Sequence, residues 1–402
     1  MIPMKKLLCL LLSLLVLNTL PALAEAADDG VMREGRTAVE LTRLMGNGTN
    51  LGNTFEACDA NVGYVPGNSP LTYEVSWGQP VTTQEMLTAM KSAGFDTIRI
   101  PVAWMTNATH LAKGDYTIDP AYLARVKEVV DYARSAGMYV ILNTHHDVGS
   151  DFYYPNSENA EVSQRYIRSI WQQLAERFAG YDEHLIFESM NEPRLKDTED
   201  EWVFNADKET CADAAACINQ LNQLFVDTVR ATGGNNATRY LMVPGYAASA
   251  DGALNRHFKL PNDTADNRII VSVHAYTPYP FALQDGGTDT FQLTDIGQTS
   301  EINRFMISLY KTYIAQGIPV VIGEFGARAK GDNVQSRVTF AAYYTANASA
   351  RNIPCVWWDN NAHKGNGELF GLLNRRECEW MHPAIVEAMI KYGGYDKIPE
   401  KK

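Results

Sequence analysis

The sequence has 402 residues, a formal net charge of −12 and 20% charged residues, without a long acidic run. A chain of this length exceeds a small binding module and suits one large α/β barrel with insertions. The negative charge argues against nucleic acid or another polyanion as a partner, whereas neutral ligands stay open.

The first 24 residues are typical of a secretory signal peptide. The apolar run Leu7–Leu17 follows Lys5 and Lys6 and precedes a small-residue cleavage pattern that ends at Ala24. This run is shorter than the roughly 20 residues that a membrane-spanning helix needs. We therefore expect a secreted protein, extracellular or periplasmic, whose mature form has no membrane segment.

Residues 25–402 are predicted to form one catalytic domain. They contain no linker rich in Pro, Ser or Thr, no fixed-period repeat and no low-complexity block. An appended second module is therefore not expected, and we expect the protein to be a monomer.

Five cysteines lie in this predicted mature chain, so at least one thiol is free: Cys58, Cys211, Cys217, Cys355 and Cys378. In an oxidising compartment, Cys211 and Cys217 in the segment CADAAAC could close a small disulfide loop. No set of ligands has the spacing of a zinc site.

Eight short apolar runs rich in β-branched residues alternate with amphipathic stretches, which is typical of βα units on a parallel sheet. The runs are Met45–Thr54, Thr97–Val102, Tyr139–His145, Leu185–Glu192, Tyr240–Tyr246, Ile269–Tyr276, Val320–Phe325 and Cys355–Asp359. The helical stretches include Thr83–Ser92, Ala121–Ser135, Glu161–Phe178, Asn219–Ala231, Glu301–Gln316 and Ser336–Ala350. Eight such units predict a single (β/α)8 TIM barrel.

Glycines follow four of the helical stretches, at positions where a left-handed C-terminal cap is common: Gly94, Gly137, Gly233 and Gly317. A doubly wound open sheet is the alternative fold, and a dinucleotide binder of that kind would show GxGxxG after its first strand. The segment GNGTNLGN at the first run has a different spacing, which favours the barrel.

Polar and aromatic residues end six of the predicted strands, and in such a barrel these ends form the catalytic face. They are Arg99, His145, His146, Asn191, Glu192, His274, Tyr276, Glu324 and Trp358. Each alone could have a structural role, such as a helix cap or a buried ion pair. The whole group at one end of six strands indicates an active site.

Glu192 and Glu324 each end an apolar run, where a lone carboxylate would be costly to bury. Glycoside hydrolysis needs two carboxyl groups, one that protonates the leaving oxygen and one that attacks, or activates water at, the anomeric carbon. We expect an ionised Glu324 to raise the pKa of Glu192, and Arg99 to keep Glu324 ionised. The pattern therefore predicts a glycoside hydrolase.

Long segments of the sequence resemble glycoside hydrolase family 5, the family of many endo-β-1,4-glucanases, and within it subfamily 4. The resemblance covers nearly the whole mature chain and is carried by NLGNTFEA, WGQPVTTQEMLTAMKSAGFDTIRIPVAW, LIFESMNEPRL, IIVSVHAYTP, GIPVVIGEFGA and IPCVWWDNNAHKGNGELFGLL. It implies an endo-acting β-1,4-glucanase with a retaining double displacement and no cofactor. Its β-linked polysaccharide substrates would be cellulose-type chains, mixed-linkage glucan or xyloglucan.

The resemblance also implies roles for the site residues. Glu192 in NEP would be the acid/base, and Glu324 in GEFG would be the nucleophile. Arg99 and Tyr276 would position that nucleophile, and Asn191 would hold the 2-hydroxyl of the sugar at the cleavage point.

The remaining predicted residues would support the substrate or the acid/base. His145 would contact the sugar, with His146 in the same supporting group, and His274 would lie beside the acid/base. Trp358 is preferred over Trp357 as the stacking floor, because adjacent strand residues face opposite ways.

A metal-dependent hydrolase is a second hypothesis, because HHD and His274 are ligand types of metallohydrolase barrels. His145 and His146 are adjacent, so in a strand they would point to opposite faces and would not share one ion. We therefore expect no catalytic metal.

Aromatic residues in or near the loops of the catalytic face could stack on sugar rings, and we expect about half of them to do so: Trp104, Phe152, Tyr153, Tyr154, Trp202, Tyr246 and Tyr279. Two other functions stay open. A β-mannanase shares the family and its catalytic groups, and a non-catalytic carbohydrate-binding barrel would keep the cleft but should have lost one of the two glutamates.

Overall fold

A computed structural model describes residues 29–57, 69–105 and 116–394, which contain a closed barrel of eight parallel strands in chain order. The predicted (β/α)8 barrel is confirmed. Its strands are β1 (Gly48–Asn50), β2 (Thr97–Ile100), β3 (Tyr139–Asn143), β4 (Leu185–Glu188), β5 (Leu241–Ser249), β6 (Ile269–His274), β7 (Val320–Phe325) and β8 (Cys355–Trp357). The predicted signal peptide and Cys58 lie outside the described residues.

Helices surround the barrel and follow the predicted alternation. They are α1 (Ala38–Met45), α2 (Leu71–Glu74), α3 (Gln84–Ser92), α4 (Pro120–Ser135), α5 (Ala160–Arg177), α6 (Glu209–Ala231), α7 (Ala250–Leu254), α8 (Tyr279–Ala282), α9 (Ile296–Thr312), α10 (Val334–Ser349) and α11 (Pro383–Tyr392). A small antiparallel ribbon precedes α11 and consists of β9 (Leu373–Asn374) and β10 (Glu379–Trp380). Across the described ranges, no helix combines the length and apolarity that crossing a membrane requires.

Local sequence signals set several helix ends. Thr37 and Glu40 form a capping box that starts α1, and Asp119 caps α4 ahead of Pro120. The four glycines predicted to cap helices all have positive φ, between 68° at Gly233 and 104° at Gly94. Such angles favour glycine, because a Cβ atom is strained there.

The barrel interior has an apolar layer near the N-terminal ends of the strands. α1 packs Leu41 and Met45 against this layer, and every residue in the cluster is buried. The strands contribute Tyr139, Ile141, Ile186, Met242, Ile270, Val321 and Val356. The interior at this end is therefore a filled core and not a channel.

Two local predictions are wrong. The run Met45–Thr54 was predicted as one strand, but Met45 ends α1 and the strand covers only Gly48–Asn50. Cys211 and Cys217 are both free and lie within α6. A helix rises about 1.5 Å per residue, so six residues put their backbones about 9 Å apart, too far for a disulfide.

Candidate active site

The nine side chains predicted for the site all lie at the C-terminal ends of the strands. Arg99 is on β2, and β6 and β7 carry His274 and Glu324. The other six follow their strands by one to four residues: His145, His146, Asn191, Glu192, Tyr276 and Trp358. Strand ends that were separate in the sequence thus converge at one mouth of the barrel.

Arg99 lies at the centre of this group and is fully buried. Its Nη1 donates to Glu324 Oε1 at 2.7 Å, and its Nη2 donates to Asn191 Oδ1 at 2.7 Å. Its Nε donates to Glu188 Oε2, also at 2.7 Å. Two carboxylates therefore flank one guanidinium, and together they raise the pKa of Arg99 although burial alone would lower it.

Glu324 is held from two sides. Besides the bond from Arg99, the hydroxyl of Tyr276 donates to its Oε2 at 2.9 Å. Its side chain is 7% exposed, so only a small part of the carboxylate faces the barrel mouth. Both oxygens are thus fixed by charged or hydroxyl donors, and the carboxylate cannot rotate freely.

Glu192 is more accessible, at 16% side-chain exposure, and pairs with the His274 imidazole. The Nδ1 atom of His274 lies 2.8 Å from Glu192 Oε1 and 3.7 Å from Glu324 Oε1. All three groups have atoms within 4.8 Å of one another. One proton in the His274–Glu192 bond is therefore close to both carboxyl groups.

The proton preferences of the pair differ from the prediction. Burial would raise the pKa of Glu192, but the hydrogen bond and charge of His274, with Arg194 and Arg99, outweigh it and lower that pKa. Burial raises the pKa of Glu324, because His274 and Arg99 offset it only in part. The expected order was the reverse, and the reason for the difference is that His274 lies between the two carboxyl groups.

His274 itself binds its proton more tightly than a free imidazole. Burial would lower its pKa, but the charges of Glu324 and Glu192 and the bond to Glu192 outweigh burial and raise it. In contrast, burial lowers the pKa of His145 and His146, that of His146 to about 4. The three imidazoles at this mouth therefore differ in proton affinity, which is raised at His274 and lowered at His145 and His146.

Four aromatic rings form a row that contains the two mouth histidines. The rings of Trp358 and His145 are parallel within 9°, with centroids 5.8 Å apart. The His145 and His146 centroids are 4.4 Å apart, and Trp77 follows 6.0 Å from His146. Trp357 is fully buried and Trp358 is 8% exposed, so Trp358 is the tryptophan of the pair that keeps some exposed surface.

Irregular strand pairing directs several of these side chains. The β6–β7 register shifts between Val273 and His274, and the β7–β8 register shifts between Ile322 and Phe325. Such shifts re-aim a side chain where regular alternation would turn it away. They set His274 and Glu324 side by side, as register partners.

The reason given above against a metal was wrong in its geometry. β3 ends at Asn143, so His145 and His146 lie beyond the strand and their rings are neighbours, not on opposite faces. Within the described ranges, the one group of three potential ligands is Glu192, His274 and Glu324. This donor set fits a cation poorly, because the positive Arg99 already occupies Glu324.

The seven aromatic residues considered for contact with sugar rings differ in how deeply they are buried. Trp104, Tyr153 and Tyr246 are buried and serve packing. Trp202 and Tyr279 are 58% and 56% exposed, and Phe152 and Tyr154 are partly buried. The guanidinium of Arg194 lies 4.0 Å from the Trp202 ring centroid and donates to the Glu192 carbonyl, which links this exposed ring to the Glu192 loop.

Five residues near the site were not predicted. Trp77 extends the aromatic row, and Asn50 accepts from Arg99 at 3.1 Å. The other three are Glu188, its hydrogen-bond donor Asn143 at 3.1 Å, and Ser272, which also donates to Glu188. The one available signal for Glu188 was a charged residue inside the apolar run LIFE.

Comparison with known proteins agrees with this geometry. The model of the cellulase family, glycosyl hydrolase family 5, matches residues 58–364. Endoglucanase B from Ruminococcus albus is 43% identical over 362 residues, which cover 90% of this chain and 82% of the relative.

Two solved structures illustrate the similarity. A GH5 family lichenase from Caldicellulosiruptor sp. F32 is 49% identical with a TM-score of 0.85, covering 89% of this chain and 96% of that one. A GH5-4 broad specificity endoglucanase from Ruminococcus champanellensis with bound cellotriose is 43% identical with a TM-score of 0.82, covering 89% and 99%. The chain is therefore a glycoside hydrolase of the endoglucanase type and belongs to glycosyl hydrolase family 5.

Proposed function

We propose that the enzyme is a secreted endo-β-1,4-glucanase that hydrolyses β-glucans with retention of configuration. Glu324 is the nucleophile and Glu192 is the acid/base in this proposal. The observation that carries it is the short distance between the two carboxyl groups, since one oxygen of Glu192 lies within 4.8 Å of one oxygen of Glu324. Retaining enzymes keep their carboxyl groups about 5–5.5 Å apart, whereas inverting enzymes need room for a water molecule between them.

In the first step, a carboxylate oxygen of Glu324 attacks the anomeric carbon and the bond to the leaving sugar breaks. The leaving oxygen takes the proton held between Glu192 and His274, so the departing chain ends in a neutral hydroxyl. Arg99 and Tyr276 keep the nucleophile oriented throughout. The product of this step is a glycosyl ester on Glu324.

In the second step, water attacks the same carbon while Glu192 accepts its proton, and Glu324 is released as a carboxylate. Two displacements at one carbon restore the original configuration. Asn191, whose Oδ1 accepts from Arg99, donates its side-chain NH2 group to the 2-hydroxyl of the sugar in this proposal, a contact that strengthens in the transition state.

Similarity and surface chemistry together favour a β-glucan substrate. The relatives carry the names lichenase and broad specificity endoglucanase, and two of their structures hold cellotetraose and cellotriose. Here Trp358 and Trp77 end a row of four aromatic rings, and exposed Trp202 contacts Arg194, which binds the Glu192 carbonyl. Rings spread over the mouth suit a long chain bound through its apolar sugar faces. We include xyloglucan among the expected substrates.

Secretion and a monomeric state complete the proposal. The signal peptide pattern in residues 1–24 supports export, and a secreted enzyme meets polysaccharides too large to enter a cell. Export as a soluble chain predicts that the mature protein begins near residue 25, which N-terminal sequencing of the culture or periplasmic fraction tests.

The deciding experiment measures reducing ends released by the purified mature chain from carboxymethyl-cellulose, mixed-linkage glucan, xyloglucan and mannan in parallel. Glu324→Gln serves as the control, because it keeps the shape of the nucleophile and removes its charge. We expect activity on the glucans and a loss of about 10⁴-fold or more in the variant. Proton NMR of the first product from mixed-linkage glucan should show the β-anomer.

Three results would overturn parts of this proposal. Cleavage of mannan alone would make the enzyme a β-mannanase, and no cleavage of any polymer would favour a binding protein. An α-anomer as the first product would reject retention, and near-normal turnover by Glu324→Gln would reject Glu324 as the nucleophile.

A further inference from the structure

Glu188 lies beneath the two proposed catalytic carboxyl groups and does not face the cleft. It ends β4 and its side chain is 0% exposed. Nothing bound in the cleft could touch it directly. Its carboxylate is nevertheless 2.7 Å from the guanidinium that holds Glu324. Burying a carboxylate without partners would be costly, so the groups that bind Glu188 indicate its role.

The hydrogen bonds of Arg99 show what this carboxylate does to the guanidinium. An arginine side chain has five N–H groups, and four of them are used here. The acceptors are Glu188, Glu324, Asn50 and Asn191. The Nε bond to Glu188 fixes the plane of the guanidinium, since Nε is the atom nearest the side-chain stem.

Glu188 is in turn held by neutral donors from two other strands of the barrel, the adjacent β3 and the more distant β6. Asn143 on β3 donates to its Oε2 at 3.1 Å, and Ser272 on β6 donates to its Oε1. Both oxygens are therefore occupied, and the carboxylate has one orientation. Because Oε2 accepts from both Asn143 and Arg99, the fixed carboxylate also fixes the orientation of the Arg99 guanidinium.

We propose that Glu188 is a positioning residue that locks the Arg99 guanidinium so that it binds Glu324 and Asn191 at the same time. The proposal rests on the proposed function, in which Glu324 is the nucleophile. It also gives Glu188 an electrostatic part, because its negative charge offsets part of the positive charge of Arg99 and so weakens the effect of Arg99 on Glu324.

The groups around Arg99 determine in which direction the charge of Glu188 shifts their pKa values. The titratable and charged groups that face it are Glu188, Glu324, Glu192, His274 and His145. Arg99 lowers the pKa of both Glu324 and His274. Removing the negative charge of Glu188 strengthens that influence, so both pKa values should fall.

Glu188→Gln tests the charge with little change of shape. The amide oxygen of glutamine can accept from Arg99 and Asn143 as Oε2 does, and its NH2 group can donate to Ser272 once that hydroxyl rotates. We expect kcat/KM on the best glucan to fall on the order of 10-fold to 100-fold, as for outer partners of other reactive groups. Both limbs of the pH–rate profile should move to lower pH, by about half a unit or more.

Glu188→Asp tests the geometry with the charge retained. Its shorter side chain cannot reach Arg99, Asn143 and Ser272 together, so kcat/KM should fall while both limbs stay near their wild-type pH. The matched control is Glu74→Gln, which removes another buried carboxylate paired with an arginine, Arg125 at 2.8 Å, outside the site. It should lower the melting temperature without moving either limb.

The outcomes separate this inference from the proposed function. An inactive wild-type enzyme would reject the proposed function itself. An active wild type with unmoved limbs in Glu188→Gln would reject the electrostatic part, and unchanged kcat/KM in Glu188→Asp would reject positioning. If Glu188→Gln does not fold, Glu188→Asp alone decides the positioning role.

Discussion

The two ends of the barrel interior use the same strand alternation for opposite purposes. Near the N-terminal end, the inward positions Ile141 and Ile186 belong to an apolar layer that α1 covers. Two residues further along the same strands, Asn143 and Glu188 join the hydrogen-bond network of Arg99. A step of two residues thus separates the layer that stabilises the barrel from the layer that prepares its chemistry.

This difference teaches how stability and activity can be divided within one core. An apolar layer tolerates exchanges that keep its volume. The polar layer cannot lose one group without leaving another buried donor or charge unpaired. Substitutions in the polar layer should therefore change rates and pH dependence, and substitutions in the apolar layer should change unfolding alone.

After the loss expected for Glu324→Gln, the largest expected effect also lies at the mouth, in Glu192→Gln. Without a proton donor, kcat on a β-glucan should fall by about 10²-fold to 10⁴-fold. An aryl glucoside with a leaving group of low pKa should form the glycosyl ester at nearly the normal rate, because its leaving group needs no proton. Stopped-flow measurement of a burst of released phenol checks this split.

Azide provides the control for this variant. As a small anionic nucleophile, azide needs no general base and should restore turnover of the aryl substrate. Equal losses on both substrates, without rescue by azide, would mean that Glu192 is not the acid/base.

At the opposite end of the barrel, Leu41→Ala should lower stability and leave chemistry intact. Leu41 is fully buried in the apolar layer, and truncation of such a leucine costs about 2–5 kcal/mol of unfolding free energy. Denaturant unfolding measures the loss, and kcat at 25 °C should not change. Leu44→Ala is the matched control on the same helix, because Leu44 is 39% exposed. A fall in kcat for folded Leu41→Ala would break the separation of the two layers.

The barrel and the nine mouth residues were accessible from the sequence, because strand ends carry readable polar residues. The layer beneath them was not. Glu188 and Asn143 lie in parallel strands that are buried on both faces. Because apolar residues then occupy both the inward and the outward positions, the sequence pattern does not show which side chains point into the barrel. The pKa order of Glu192 and Glu324 was missed because the register shift that sets His274 beside Glu324 leaves no mark in the sequence.

The smallest expected effect concerns the proton on His274. Its pKa is raised above the ordinary 6.5, so the proton that the leaving group needs is present at lower pH and is lost as the pH rises through that raised value. In His274→Gln the proton must reside on Glu192 alone, whose ordinary pKa is 4.5; burial raises that pKa, and Arg194 and Arg99 lower it. The basic limb of kcat/KM should therefore move to lower pH by about one unit.

The pH dependence of folding stability should reveal the protonation of His274 independently of activity. A raised pKa in the folded state contributes stability below pH 6.5, and this contribution disappears as the pH rises through the folded-state value. Wild-type melting temperature should therefore fall more steeply over this window than that of His274→Gln. His257→Gln is the matched control, since His257 bonds only to the Ala206 carbonyl through its ring and lies outside the mouth. An unmoved basic limb in His274→Gln would show that the proton for the leaving group does not depend on His274. Arg99 and Glu188 would then be the remaining groups by which the polar layer differs from the apolar layer in its effect on pH dependence.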